Sequence, residues 1–457
     1  VKSMNKKWTA REVALDVLTK VDIHHSYSNL QLNQTLQKAQ LSRTDANFAT
    51  QVIYGTIQHL NRIDWMLMPF LRTPLEKLEP WVRNLLRISI YQIWYLDRIP
   101  PHAVVNEAVN IAKKRGHQGL SGMVNAILRN YLRKKDQLRI PDHLSVKEKI
   151  ALEHSHPEWL VSRFIEDYGE EEAEQICRVN NLPPHHSIRI NPLKISRDEM
   201  VKLLKEEYQD EIEVLPSPLS QQGIIVKGVG NLALSKWYEM GYFTVQDGSS
   251  MLVAEVLDPK PDMTVLDAAA APGGKTTHIV EKMNDQGRIV AADLHKHKIR
   301  LIEEQQKRLG LHIIETILAD ARELKEHFSS IFDRILLDVP CSGLGVIRRK
   351  PDLKWAKTEN QIQQITRVQR EILETVAPLL KIGGVLVYST CTMTKEENQN
   401  MILSFVNDHP EFELDPFLPR YLPQIVNDKL DASKGMIQIL PHYFNTDGFF
   451  ISRLIRK

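Results

Sequence analysis

One stretch constrains this chain more than any other: Thr264-Val-Leu-Asp-Ala-Ala-Ala-Ala-Pro-Gly-Gly-Lys, an apolar run that turns through two adjacent glycines directly into a helical pattern. Residues 263–268 read as a buried strand and residues 276–283 as the helix that follows. A strand, a glycine turn and a helix start make an anion cradle, because the first N–H groups of a helix have no carbonyl partners within it and glycine lets a ligand approach the backbone. A second apolar run, Gly287-Arg-Ile-Val-Ala-Ala-Asp, ends on Asp293, about 20 residues past the glycines, where Rossmann-like units place an acid on ribose hydroxyls. The two halves predict a nucleoside ligand with an anionic end. The glycines fail the G-x-G-x-x-G spacing of dinucleotide sites, and Ala269 stands where a P-loop needs its first glycine, which disfavours a nucleoside triphosphate.

From here to the C-terminus short apolar runs alternate with helical patterns, at 265–268, 288–293, 313–320, 334–338, 384–390 and 448–454. That alternation predicts a doubly wound, mostly parallel sheet, in which ligands bind beyond the carboxyl ends of the strands. Asp293, Asp320, Asp338, Cys341 and Cys391 all fall at or just past such ends. A single crevice can collect them.

The first 140 residues differ in kind. Residues 8–21, 28–39, 45–70, 75–96, 103–114 and 120–132 carry apolar side chains at spacings of three and four, with no period-two alternation, so an all-α bundle is expected. The charge also sits here: residues 1–140 hold 21 Lys+Arg against 10 Asp+Glu and the remainder 38 against 47, so the net +2 conceals a basic module joined to a mildly acidic one. A basic module suits the holding of a polyanion. Residues 141–180 read as an acid-rich helical linker; Ser187-Ile-Arg-Ile-Asn, a helix to about Gln209, Gly223-Ile-Ile-Val-Lys and Tyr242-Phe-Thr-Val-Gln suggest a small α+β unit. The expected domains are 1–140, 141–240 and 241–457.

No apolar run approaches the ~20 residues of a membrane helix, and residues 1–7 carry no apolar signal core. Three cysteines, Cys177, Cys341 and Cys391, are too few and too scattered for a disulfide framework. A reducing, cytoplasmic setting is expected, with no membrane contact, and nothing in the composition argues for more than a monomer. C-x-x-C is absent and the pairs His154/His156, His185/His186 and His295/His297 lack zinc spacings, so no metal is expected.

Cys341 lies in Leu336-Leu-Asp-Val-Pro-Cys-Ser-Gly and Cys391 in Tyr388-Ser-Thr-Cys-Thr, at the ends of consecutive strands of a cofactor sheet. A thiolate helps where the target carbon is a poor nucleophile, as carbon 5 of cytosine is. Addition at carbon 6 turns the ring into an enamine-like nucleophile, splitting one hard step into two easier ones. A second group then assists removal of the carbon-5 proton, and an acid near ring nitrogen 3 favours the first addition; Asp338 is placed for that. Spacing alone leaves open which cysteine attacks.

At these residues the chain resembles the Sun/Fmu branch of the NOL1/NOP2/Sun RNA cytosine-5 methyltransferases. The resemblance rests on residues 267–275, Leu337-Asp-Val-Pro-Cys-Ser-Gly, Ile347-Arg-Arg-Lys-Pro-Asp-Leu-Lys-Trp, Tyr388-Ser-Thr-Cys-Thr and Thr446-Asp-Gly-Phe-Phe. Residues 1–140 are similar to NusB-like RNA-binding domains through Ala10-Arg-Glu-Val-Ala-Leu-Asp-Val-Leu, Leu96-Asp-Arg-Ile-Pro-Pro-His-Ala-Val-Val-Asn-Glu-Ala-Val and Gly122-Met-Val-Asn-Ala-Ile-Leu-Arg. The resemblance implies a Rossmann-like catalytic domain, S-adenosylmethionine as cofactor and 16S rRNA as substrate; the alternatives are the same chemistry on tRNA, or a non-catalytic RNA-binding assembly or transcription factor. It implies a cofactor loop of Ala269, Ala270, Ala271, Pro272, Gly273, Gly274 and Lys275, with Asp293 on the ribose, Lys298 beside it where the family more often has Arg, and Asp320 on the adenine side. It further implies Asp338 at the base and methyl site, Cys391 as nucleophile and Cys341 assisting release. The family usually begins the cofactor loop with Cys where this chain has Ala269. Arg348-Arg-Lys-Pro-Asp-Leu-Lys-Trp, four cations with an aromatic, reads as a grip on a flipped base and its phosphates.

Overall fold

The computed structural model describes residues 8–24, 28–209, 212–228 and 230–457. Residues 1–7, and the reading that they lack a signal core, lie outside the described residues. The chain divides into two compact units, one of Val1–Leu182 with Lys350–Ala356 and one of Pro183–Arg349 with Lys357–Lys457.

The first unit is helical, with no strand among its described residues. Apolar positions three and four apart face inward: Val13, Val17, Val52, Ile53, Leu86, Ile90, Val124 and Leu128 are all buried in one core. Helix starts follow local chemistry. Ser42 accepts from the Asp45 N–H, Ser145 and Glu148 form a reciprocal capping box, and Pro80 and Pro101 open helices at positions where no N–H is needed. The apolar pattern over 45–70 reads as one stretch, but the helix Arg43–Gln58 stops at His59 and a new one runs Leu60–Leu67. The cause is distant in sequence. Lys354 Nζ donates to the Gln58 carbonyl at 2.7 Å and Trp355 Nε1 to the Ile57 carbonyl at 2.7 Å, satisfying last-turn acceptors that a continuing helix would have used itself. Residues 350–356 are thus a built-in cap of the helical unit. No helix among the described residues is long and apolar enough to cross a membrane.

The second unit holds two sheets. Strands β1 (His186–Ile190), β2 (Glu213–Pro216), β3 (Gly223–Lys227) and β4 (Phe243–Val245) form an antiparallel sheet in the order β2-β3-β1-β4. The sequence gives little warning of β2, whose four residues bury only Val214 and end in proline. Because β4 pairs with β1, this sheet extends past Gly241.

The larger sheet comprises β5 (Thr264–Asp267), β6 (Arg288–Asp293), β7 (Ile314–Leu318), β8 (Phe332–Asp338), β9 (Leu380–Thr390), β10 (Phe412–Leu414), β11 (Met436–Ile439) and β12 (Phe449–Arg456). Its order is β10-β12-β9-β8-β5-β6-β7, with β11 also on β12. Strands β5 to β9 are mutually parallel, and β12 joins β9 antiparallel. The chain builds outward from β5 through β6 and β7, then returns to the other side of β5 with β8. The topological switch point therefore lies between β5 and β8, the place at which doubly wound sheets bind their ligands.

Candidate active site

Strands β8 and β9 are in register with Asp338 opposite Ser389, so the loops that follow them deliver their cysteines to one place. The Cys341 and Cys391 sulfurs lie 3.3 Å apart. The hydrogen bond between the two sulfurs lowers the Cys391 thiol below its ordinary range, burial and Asp338 oppose this, and Lys275 adds to the lowering. Cys341 is pushed the other way by that same hydrogen bond and by burial. The environment thus sets the two sulfurs apart, Cys391 losing its proton more readily than Cys341. The Asp338 carboxylate is shared between Lys275 Nζ at 2.7 Å and the Ser389 hydroxyl at 2.8 Å.

Both cysteine loops are held from below. Buried Glu397 accepts from the Ser342 N–H at 2.8 Å, the Ser342 hydroxyl at 2.6 Å, the Thr394 hydroxyl at 2.7 Å and Gln369 Nε2 at 3.0 Å, while Gln369 also donates to the Pro340 carbonyl at 2.9 Å. That network fixes the residues on either side of Cys341. Asn398 serves the other loop, accepting from the Thr390 hydroxyl at 2.6 Å and donating to the Thr392 carbonyl at 3.1 Å. The two loops are then stitched together, since the Gly345 N–H donates to the Cys391 carbonyl at 2.9 Å and the Gly448 N–H to the Gly345 carbonyl at 2.8 Å. A Cβ at Gly345 would fall 2.0 Å from the Gly448 oxygen and 2.7 Å from the Cys391 oxygen. Only glycine permits this approach.

The loop after β5 crosses the switch point. Ala270 donates to the Ala292 carbonyl at 2.9 Å, Gly273 to the Ala270 carbonyl at 2.8 Å, and the Ala271–Pro272 bond is cis. Gly273 has φ +101, a left-handed conformation that glycine adopts freely, and nothing lies within 4 Å of a Cβ built at Gly274. The helix Gly274–Lys282 begins with no side-chain cap, so its leading N–H groups are left for a ligand. At the end of β6, Asp293 accepts from the N–H groups of Ala271 at 3.3 Å and His295 at 3.1 Å, with Lys298 Nζ 3.8 Å away. Beneath, Thr276 donates at 2.7 Å to buried Asp267, whose carboxyl burial pushes up to about 7.

Three family models match consecutive regions: the NusB family over residues 9–133, the RsmF/B-like ferredoxin-like domain over 156–233, and the 16S rRNA methyltransferase RsmB/F over 254–455. The chain is 45% identical to the probable ribosomal RNA small subunit methyltransferase B of Bacillus subtilis, covering 99% of this chain and 100% of that one. It is 34% identical to the ribosomal RNA small subunit methyltransferase B of Photorhabdus laumondii, covering 93% and 94%. The chain belongs to the RsmB/F family of 16S rRNA methyltransferases. Among solved structures, it resembles PH0851 with a TM-score of 0.79 and 29% identity over 99% of this chain and 100% of that one. It resembles NSun6 of Pyrococcus horikoshii, solved with SFG, with a TM-score of 0.59 and 28% identity over 66% of this chain and 98% of that one. The expected architecture of helical NusB-like region, α+β middle domain and mostly parallel Rossmann-like sheet is the family's.

Within this RsmB/F chain, Cys341, Cys391, Asp338 and Lys275 form one cluster, and the 269–274 loop, Asp293 and Lys298 a second, beside it across the switch point. Asp320 follows β7, farther along the sheet, and both its oxygens are held by Arg322, the shorter contact being 2.7 Å. The expectation for residues 348–355 needs correction. Arg349 is bound to both oxygens of Asp447 at 2.8 Å and to Asp247 at 2.9 Å, buried Arg348 donates to the Pro183 carbonyl at 2.8 Å, and Lys354 and Trp355 cap a helix. Arg348, Arg349 and Lys354 are committed to structure, because each finds an acceptor brought from far along the chain, whereas Lys350 is exposed. Sequence reasoning missed Glu397 altogether. Its only signal was a run of polar residues, Thr394 to Asn398, directly after a cysteine at a strand end.

Proposed function

We propose that this chain methylates carbon 5 of a cytosine in 16S rRNA through a covalent adduct on Cys391. The observation that carries the reading is the pair of sulfurs 3.3 Å apart at the ends of β8 and β9, one lowered and one raised, beside the Lys275–Asp338 pair. S-adenosylmethionine, the family's methyl donor, supplies when bound an electrophilic methyl group on a sulfonium. The residues present suit it: an uncapped helix N-terminus for its carboxylate, glycines that leave room for close backbone approach, and Asp293 for its ribose hydroxyls.

Cys391 acts first, its thiolate adding to carbon 6 of the extruded base. Lys275 and Asp338 together carry one transferable proton, and moving it to ring nitrogen 3 during addition leaves carbon 5 nucleophilic. After carbon 5 is methylated its proton passes to water, nitrogen 3 returns its proton to the Lys275–Asp338 pair, and the carbon–sulfur bond breaks. Cys341 assists that departure, since its S–H donates to the leaving Cys391 thiolate through the hydrogen bond already present. Glu397 and Asn398 keep the two sulfurs in place throughout. Exposed Lys113, Arg115, Arg129, Arg133 and Lys134 at helix ends of the first unit suit phosphate contact, and the relatives named for small-subunit rRNA, matched nearly end to end, favour 16S rRNA as the polyanion.

Adduct trapping tests the assignment. With RNA and methyl donor, Cys341→Ala accumulates a covalent protein–RNA complex on a denaturing gel and Cys391→Ala gives none; the reverse pattern would exchange the two roles. Methylation of purified 16S rRNA, 23S rRNA and tRNA side by side decides the substrate.

A further inference from the structure

Arg189, on β1 of the small antiparallel sheet, is fully buried with its partner Glu281. All five of its N–H donors are used. Nε donates to Glu281 Oε2 at 2.8 Å; one terminal nitrogen donates to Glu281 Oε1 at 3.0 Å and the Thr277 hydroxyl at 3.0 Å; the other donates to Gln246 Oε1 and to the Gly274 carbonyl at 2.8 Å. Gln222 donates through Nε2 to Glu281 Oε2 at 3.1 Å and accepts on Oε1 from His278 Nε2 at 3.0 Å. A buried ion pair of this kind is a weak device for stability alone, because burying both charges offsets most of what their attraction contributes. Four of the five bonds go to the single helix Gly274–Lys282, two to Glu281, one to Thr277 and one to the Gly274 carbonyl at the helix start that follows the cofactor loop.

That bond has a stereochemical consequence. In a trans peptide the carbonyl and the next N–H point in opposite directions, so a grip on the Gly274 oxygen from inside the molecule turns the Lys275 N–H outward, toward the loop. Gly274 opens the helix Gly274–Lys282, so its carbonyl also faces the helix's own donors and accepts from the Thr277 hydroxyl at 3.2 Å; Arg189 adds a grip from outside that helix, next to left-handed Gly273, where no side chain braces the turn. The same peptide bears Lys275, the cation paired with Asp338 at 2.7 Å. We infer that Arg189 is a positioning residue for the methyl donor: from the small sheet it fixes the Gly274–Lys275 peptide so that the N–H at the helix start stands ready for the donor's carboxylate. This rests on the proposed assignment of the 269–275 loop to the donor. It makes the small domain part of the donor site.

Calorimetric binding of S-adenosylmethionine to the full chain, with thermal unfolding of each variant, tests the inference. Arg189→Lys keeps a charge for Glu281 but loses the fork; Arg189→Met with Glu281→Met removes both charges and fills the space. Both variants are expected to bind the donor about tenfold more weakly, the loss of one good hydrogen bond, with the KM for RNA unchanged and the unfolding temperature of the double variant near that of the wild type. A double variant that folds and binds the donor within twofold of wild type overturns the inference, since the pair then serves packing only. If the double variant does not fold, Arg189→Lys decides by the same criterion. Failure of the wild-type chain itself to bind the donor removes the loop assignment and the inference together, whereas equal affinity in wild type and variants removes the inference alone.

Discussion

Replacing Gly345 by alanine tests whether the sulfur geometry sets the rate. The new Cβ would start 2.0 Å from the Gly448 oxygen and 2.7 Å from the Cys391 oxygen, whereas an ordinary carbon–oxygen contact needs about 3.4 Å. The stitch must open by roughly 1.4 Å on one side, and both obstacles are backbone, so no side chain can swing away. The bonds from Gly345 to Cys391 and from Gly448 to Gly345 are the ones strained. Displacing a reacting atom by about 1 Å costs on the order of 10²-fold in rate, and overpacking costs about 1–3 kcal/mol of stability. Single-turnover adduct formation with saturating donor and RNA, measured well below the variant's unfolding temperature, separates the two effects. Gly122→Ala is the control: that exposed helical glycine has nothing within 4 Å of a Cβ, and alanine there should leave the rate unchanged and favour the helix slightly. A Gly345→Ala chain that forms adduct within threefold of the wild-type rate would refute the claim that this approach positions Cys391.

Lys275→Met should move the acid limb of Cys391 alkylation, followed against pH, to higher pH, because Lys275 helps hold that thiol down; an unmoved limb would contradict the stated cause. Glu397→Gln should cost about 1–3 kcal/mol by leaving buried donors poorly matched, and by loosening the Cys341 loop should raise the steady-state level of trapped adduct on a denaturing gel. Burial lowers Lys354 to about 7, so between pH 7 and 10 the unfolded chain holds a proton that the folded chain does not. Stability in denaturant titrations should therefore rise with pH there, at up to about 1.4 kcal/mol per unit, and Lys354→Met should flatten that rise. Reversing Arg129, Arg133 and Lys134 to Glu should lessen the salt dependence of RNA binding, by a slope of about 0.7–0.9 for each phosphate no longer neutralised.

The parallel strands of the catalytic sheet were legible because each is a short apolar run ending in a polar residue with chemistry, and the parallel topology then brings such ends together without further information. Asp338, Cys341 and Cys391 were singled out that way, and the structure brings the two sulfurs to 3.3 Å of each other. The short strands were not: β2, β10 and β11 have three or four residues each, too few for a period, and exist because neighbouring strands offer free edges. Glu397 and Arg189 were invisible for a related reason. Each works through partners up to 92 positions away, and a charged residue in an unremarkable context gives no sign that it will be buried. The Arg348–Trp355 stretch erred in the opposite direction, since clustered cations look like a phosphate grip until their acceptors are known.

The seven residues from Lys350 to Ala356 bear on how this protein can be divided. A fragment cut at the linker near residue 182 takes the helices of the first unit up to that point but leaves behind the piece that closes the end of Arg43–Gln58, so the Ile57 and Gln58 carbonyls lose the donors of Trp355 and Lys354. The boundary drawn along the chain is thus not the boundary of the folded body, and trimming or grafting the amino-terminal half succeeds only if that short plug travels with it.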